Sequence, residues 1–228
     1  MKKALIVSNP FLPADNPGVR RSVSFIRFLR NYGWEPVVLT REVAASDTSD
    51  DPAGLEIPDG MDIYRTNPWE LDELPGFLGL AGKHLAEWLL APDKKRLWEL
   101  SSHRKAVKIV KYDGIDLIYT TSPPKSSHLL GLYLKKRFPQ IPWIADICLE
   151  LSLNTGNAGV EKRIDRRISE MADCIVINTE VMLNAILENH SGRSMEDRCF
   201  IVPDGFAEEL SGVFEKSCRL LAGKRLVQ

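Results

Sequence analysis

Short apolar runs, separated by longer segments with helical spacing, dominate this chain. The runs are Lys3–Ser8, Pro36–Thr40, Met61–Arg65, Leu117–Thr121, Trp143–Ile147, Cys174–Asn178 and Cys199–Val202. Most are unbroken rather than alternating. A strand with one wet face alternates apolar and polar residues, whereas a strand covered by helices on both faces reads as a continuous apolar run. The runs therefore predict buried strands of a mostly parallel sheet.

Between the runs, apolar residues recur every three or four positions. Val19, Val23, Ile26 and Leu29 make one stripe of a helix predicted over Val19–Tyr32. Gly33 stops that helix, and Trp34-Glu35-Pro36 leads into the next strand. Further helices are predicted over Ser126–Phe138 behind Pro123-Pro124, Val160–Ala172, Val181–Leu187 behind an N-capping Thr179, and Ala207–Leu221. Strand–helix alternation of this kind predicts an α/β fold, a three-layer Rossmann-like domain. Residues 1–206 are expected to form it, with a helical insertion at about 69–111 and a terminal helix and tail at 207–228.

Two stretches break the rhythm. Arg41–Pro58 is rich in Asp, Ser, Thr, Ala and Gly and reads as a surface loop. Trp69–Pro92 carries Trp69, Leu71, Leu74, Phe77, Leu85 and Trp88 without a clear period, interrupted by Pro75, Gly76, Gly79 and Gly82. Two readings stand for it. One is a helical lid on the core. The other is an exposed apolar surface for a partner, a lipid-linked acceptor or a membrane interface.

Composition narrows the function classes. With 30 basic and 31 acidic residues, the net charge is −1, so no global field draws the chain to nucleic acid. The apolar run behind Met1-Lys2-Lys3 ends at Ser8-Asn9, too early for a signal peptide. No apolar stretch reaches the ~18 residues of a membrane span. A cytoplasmic protein, in peripheral membrane contact at most through 69–92, is the expectation. Cys148, Cys174, Cys199 and Cys218 lack metal-ligand spacing and read as reduced small hydrophobes. His84, His103, His128 and His190 are scattered and read as surface or helix residues. No metal site is expected.

In doubly wound sheets, ligands bind beyond the carboxyl ends of strands, where strand order reverses. The residues just after each strand are therefore the candidates. Pro17-Gly18 precedes a helix whose start, with Arg20 and Arg21, suits an anion. It is equally readable as a plain turn. The stretch is not G-x-G-x-x-G, and the chain has no Walker-type loop. Ser122, in Ser122-Pro123-Pro124-Lys125-Ser126-Ser127, opens a cluster of hydroxyls that binds sugar or phosphate, or caps the helix. Asp146 ends a strand, where a carboxylate binds a hydroxyl, acts as a base or caps a turn. Asn178-Thr179-Glu180 follows another strand, with the acid in a helix's first turn.

Taken in order, these segments resemble glycosyltransferase family four, of the GT-B fold. Lys3–Ser8 with Pro10-Phe11-Leu12-Pro13, Gly18-Val19-Arg20-Arg21 and Tyr32–Thr40 resemble its opening. Asp116–Pro124 and Ile141–Asp146 are similar to the strands around its acceptor pocket. Ala172–Glu180 looks like its later strand and helix, and Ile201-Val202-Pro203-Asp204-Gly205-Phe206 resembles the segment leading into its second domain. The resemblance implies a domain that holds the acceptor, while a C-terminal domain holds the nucleotide-sugar donor. Asp146 and Glu180 are then the catalytic candidates. Pro17, Gly18, Arg20, Ser122, Asn178 and Thr179 are the substrate-binding candidates, with Gly18 near the donor phosphates and Ser122 on the acceptor side.

The sequence departs from that pattern in two places. The donor domain, with its pair of glutamates, is not expected in the residues after Phe206. A donor-binding domain or subunit is thus the expected partner, a sugar or lipid-linked molecule the expected acceptor, and no cofactor is expected without that second domain. Where the closest subgroup reads Asp-Phe-Arg-Asp-Pro-Trp, this chain reads Asp146-Ile147-Cys148-Leu149-Glu150-Leu151. The expectation is a glycosyltransferase half, inactive alone, in glycan or polysaccharide synthesis. The alternative is a non-catalytic binding or partner subunit on the same fold.

Overall fold

The structure, a computed structural model, describes residues 1–14, 17–42, 57–67, 96–147, 158–188 and 193–203. In chain order the elements are β1 (Lys2–Val7), α1 (Pro17–Leu29, continued by a 3₁₀ turn at Arg30–Tyr32), β2 (Trp34–Arg41) and β3 (Asp62–Thr66). Next come α2 (Arg96–Tyr112), β4 (Leu117–Ser122), α3 (Ser126–Arg137) and β5 (Trp143–Ile147). The last are α4 (Ala158–Met171), β6 (Cys174–Ile177), α5 (Glu180–Glu188), a 3₁₀ turn at Arg193–Arg198, and β7 (Cys199–Ile201). The expected insertion at 69–111 contributes α2. Its remainder at 69–92, the loop at 43–56 and the terminal helix at 207–221 lie outside the described residues.

All strands join one parallel sheet in the order β3-β2-β1-β4-β5-β6-β7. The chain steps outward from β1 to β3, returns to the other side of β1, and steps outward again. Parallel crossovers are right-handed, so reversing the direction of travel moves the helices to the opposite face. Accordingly α1 packs on one face with Ala4, Ile6, Val38 and Tyr119. Helices α2 to α5 pack on the other with Leu5, Val7, Leu39, Ile118, Ala145 and Ile175.

The sequence stripe of α1 is the stripe that packs: Val19, Val23, Ile26 and Leu29 are all buried. Each such side chain contributes roughly 1.5–3 kcal/mol relative to exposure. Gly33 takes φ +79° and closes the helix end, as its position predicted.

Helix α3 is different, since it is wedged between α2, α4 and the sheet. Its polar first turn, Ser126, Ser127 and His128, is buried along with Leu130, Leu132 and Leu134. The helix comes so close to the sheet that a Cβ at Gly131 would lie 2.6 Å from the Trp143 ring and 2.7 Å from the Thr120 methyl. Glycine is therefore a packing requirement there. Trp143 is fully buried, and its indole N–H donates to Thr120 Oγ1 at 2.9 Å.

Candidate functional site

The sequence candidates gather at one edge. β1, β4, β5 and β6 are consecutive neighbours in a parallel sheet, so their carboxyl ends lie side by side. Strand order reverses between β1 and β4, which makes their carboxyl ends, at Ser8, Asn9 and Ser122, the switch point. Gly18, Ser122, Asp146 and Asn178-Thr179-Glu180 all belong to this edge.

The loop after β1 is anchored from two sides. Phe11 is fully buried against α1, and Arg65 of β3 donates to the Leu12 carbonyl at 2.6 Å. Pro17 and Gly18 do not form a turn ahead of the helix. They are its first residues, and the Ser22 hydroxyl donates back to the Gly18 carbonyl at 2.9 Å, one turn below. Ser8 Oγ lies 3.0 Å from Ser22 Oγ, joining β1 to α1. Arg20 is exposed at this helix start.

Asp146 sits one strand beyond β4 and is wholly buried. Arg21 Nε donates to its Oδ2 at 2.8 Å and Nη2 to its Oδ1 at 3.0 Å, a two-pronged pair. The Tyr119 hydroxyl donates to the same Oδ2, and Phe25 stacks on the Tyr119 ring with centroids 4.4 Å apart. Arg21 also donates to the Val202 carbonyl at 3.0 Å, just past β7. One buried charge pair thus ties α1, β4, β5 and the exit of β7. Sequence spacing placed the Arg21 charge at a ligand; the structure places it on Asp146, which the sequence left without a partner. An arginine and an aspartate 125 positions apart give no local signal of pairing.

Thr179 caps α5, accepting the Met182 amide at 3.3 Å, as expected. Glu180 opens the helix and is exposed, and Asn178 is half-buried. Cys148 and Leu149, where the chain departs from the family pattern, lie outside the described residues. So do Cys218, His84 and His190. Cys174 and Cys199 are free and half-buried, and burial raises both thiols above their ordinary range.

The residue that sequence reasoning missed is His128. It is buried in the first turn of α3, with Nδ1 2.7 Å from Thr120 Oγ1. Burial, and then the Lys125 charge, hold its pKa down to about 3, so it is neutral. The signal available in the sequence was its place within Ser126-Ser127-His128 behind a strand end.

Around the switch point, several buried polar atoms have no hydrogen-bond partner among the described residues. They are Asn9 Nδ2 and Oδ1, Thr121 Oγ1, Ser122 Oγ, Ser127 Oγ and His128 Nε2. Such atoms are costly in a fold's interior and concentrate where a ligand or water completes them. Among the described residues, no group of His, Cys, Asp and Glu is arranged to hold a metal, and no helix is long and apolar enough to cross a membrane.

No protein-family profile matches the chain, and no curated protein matches it. Solved structures do. A UDP-GlcNAc 2-epimerase from Methanocaldococcus jannaschii is 14% identical, with a TM-score of 0.54, covering 89% of this chain and 45% of its own. A second UDP-N-acetylglucosamine 2-epimerase structure, also 14% identical, aligns over 100% of this chain and 62% of its own at 0.55. Anabaena Alr3699/HepE, solved in complex with UDP and glucose, is 14% identical over 98% of this chain and 50% of its own at 0.52. The chain spans about half the length of these structures, and the fold it shares with them is GT-B-like.

Proposed function

We propose that this chain is the acceptor-side half of a nucleotide-sugar-dependent glycosyltransferase in glycan or polysaccharide synthesis. The observation that carries the reading is the set of unpartnered, buried polar side chains at the β1–β4 switch point. Two facts support it. The fold neighbours are named for UDP-sugar chemistry, and the chain spans half their length. The ordered motifs from Lys3 to Phe206 point to the same class.

In this reading a donor-binding domain or subunit closes over the carboxyl edge, and sugar is transferred to a hydroxyl of a sugar or lipid-linked acceptor held there. Positioning and electrostatic stabilisation in the closed cleft supply the catalysis. Glu180, exposed at the edge, is the carboxylate free to take a proton from the acceptor. Asp146 acts through Arg21 as a positioning residue that holds α1, and with it Gly18 and Arg20, against the sheet. Segment 69–92 is the proposed membrane or lipid contact.

The test is transfer from a panel of UDP-, GDP- and ADP-sugars, by the chain alone and with a candidate donor-binding domain added in trans. The expected outcome is no transfer alone and transfer on mixing, reduced by Glu180→Gln. Transfer by the chain alone would defeat the reading. A second reading, a non-catalytic partner subunit, is favoured by one observation: the Asp146 carboxylate is already taken by Arg21 and Tyr119. No donor binding by calorimetry, with or without the second domain, would select it.

A further inference from the structure

The polar atoms at the switch point share a property that bears on what they bind. Every one belongs to an uncharged group. Asn9 follows β1, two residues beyond the Val7↔Thr120 register, and so stands beside the end of β4, where Ser122 closes the strand. Ser127 and His128 form the first turn of α3, directly after that strand. All four residues are at least nine-tenths buried.

Of the nearby charges, Arg21 is bound to Asp146 and Lys125 Nζ to Asp165 at 3.0 Å, while Arg65 gives Nη2 to the Leu12 carbonyl and keeps a buried Nη1 without a hydrogen-bond partner among the described residues. The helix start alone would suit an anion, but Asn9 argues against one. Whichever way its amide is turned, it offers both a donor and an acceptor. Its acceptor needs a ligand that brings a proton, and a phosphate monoester dianion brings none.

His128 contributes one more open position. Thr120 Oγ1 accepts the Trp143 indole proton and also lies 2.7 Å from His128 Nδ1. The neutral ring leaves Nε2 without a partner among the described residues, a donor in one tautomer and an acceptor in the other.

We infer that Asn9, Ser122, Ser127 and His128 form a subsite for an uncharged, hydroxyl-rich ring, a sugar, and not for a phosphate or carboxylate. Paired donors and acceptors match adjacent hydroxyls, each of which both gives and takes a hydrogen bond. The inference rests on the proposed acceptor-side reading and adds the residues and the charge state of the group they hold.

The experiment is two-dimensional ¹H–¹⁵N NMR of the labelled chain, titrated separately with methyl β-glucoside, N-acetylglucosamine and methyl phosphate, each to about 50 mM, well above a weak ~millimolar Kd. The expected result is saturable movement of the Asn9 side-chain amide and of the Ser127 and His128 backbone amides with at least one sugar, and none with phosphate. Asn9→Ala and Ser127→Ala, each confirmed folded by its spectrum, should weaken sugar binding roughly 3- to 10-fold. Movement with phosphate alone, no movement with either, or sugar binding unchanged in both variants would overturn the inference. Transfer on mixing with the donor domain, without sugar binding here, would sink the subsite and leave the proposed function. Sugar binding here without transfer would do the reverse.

Discussion

Two polar clusters lie at the same edge of the sheet, one strand apart, and they are built on opposite principles. At the end of β5, Asp146 and Arg21 are charged, buried and matched two bonds to two, with Tyr119 and the Val202 carbonyl completing them. At the ends of β1 and β4, Asn9, Ser122, Ser127 and His128 are neutral, buried and each left with a polar atom that has no hydrogen-bond partner among the described residues. A completed charged cluster holds a fold in one arrangement. An uncompleted neutral one forgoes stability for something that arrives later. The difference separates the scaffold of this edge from its proposed binding surface.

Three measurements would break or sharpen that contrast. The largest effect is expected from Arg21→Met, which leaves the Asp146 carboxylate buried without a counter-charge. The loss should be about 3–5 kcal/mol, or roughly 6–20 °C in Tm by calorimetry. The double variant Arg21→Met/Asp146→Leu should recover most of it. A loss below about 1 kcal/mol for the single variant would show that the pair does not hold the edge together.

The next concerns pH. His128 is neutral in the fold, with its pKa depressed to about 3, but takes a proton near pH 6.5 when unfolded. Between those values the unfolded chain binds more protons than the native one. Stability is therefore whole above about pH 6.5 and drains as pH falls toward 3. His128→Gln should unfold with a visibly shallower acid dependence over that window. Superimposable pH profiles for the two proteins would remove His128 from the buried neutral cluster.

The smallest effect should come from Ser127→Ala, which deletes an unpartnered hydroxyl. Denaturant unfolding should show a change between zero and about 1 kcal/mol in the stabilising direction. A loss instead would mean the hydroxyl already has a structural partner.

Much of this architecture is written locally. Strand runs survive as strands because burial on both faces demands unbroken apolar sequence, and α1 shows its packed stripe in Val19, Val23, Ile26 and Leu29. The carboxyl edge could be named from strand ends alone. The assignment of roles along it could not. Arg21 and Asp146 meet only once α1 has docked across the sheet. Pro17-Gly18 reads as a turn ahead of the helix, whereas it forms the helix's own first residues. Ser126-Ser127-His128 reads as a wet helix start because most of α3 ahead of Lys136 is buried, which weakens the amphipathic pattern that reveals a buried face.

Gly131 has a mechanical consequence for the proposed binding edge. It sits four residues, about 6 Å of helix rise, from Ser127, at the point where α3 bears most closely on Trp143 and Thr120. The helix is seated there as a beam on a fulcrum. A methyl group at that point would tip the beam, and a tilt of about 10° would swing the Ser127 end by about 1 Å, the scale of misplacement that spoils a positioned contact. The smallest residue in the helix thus sets the calibration of its polar end.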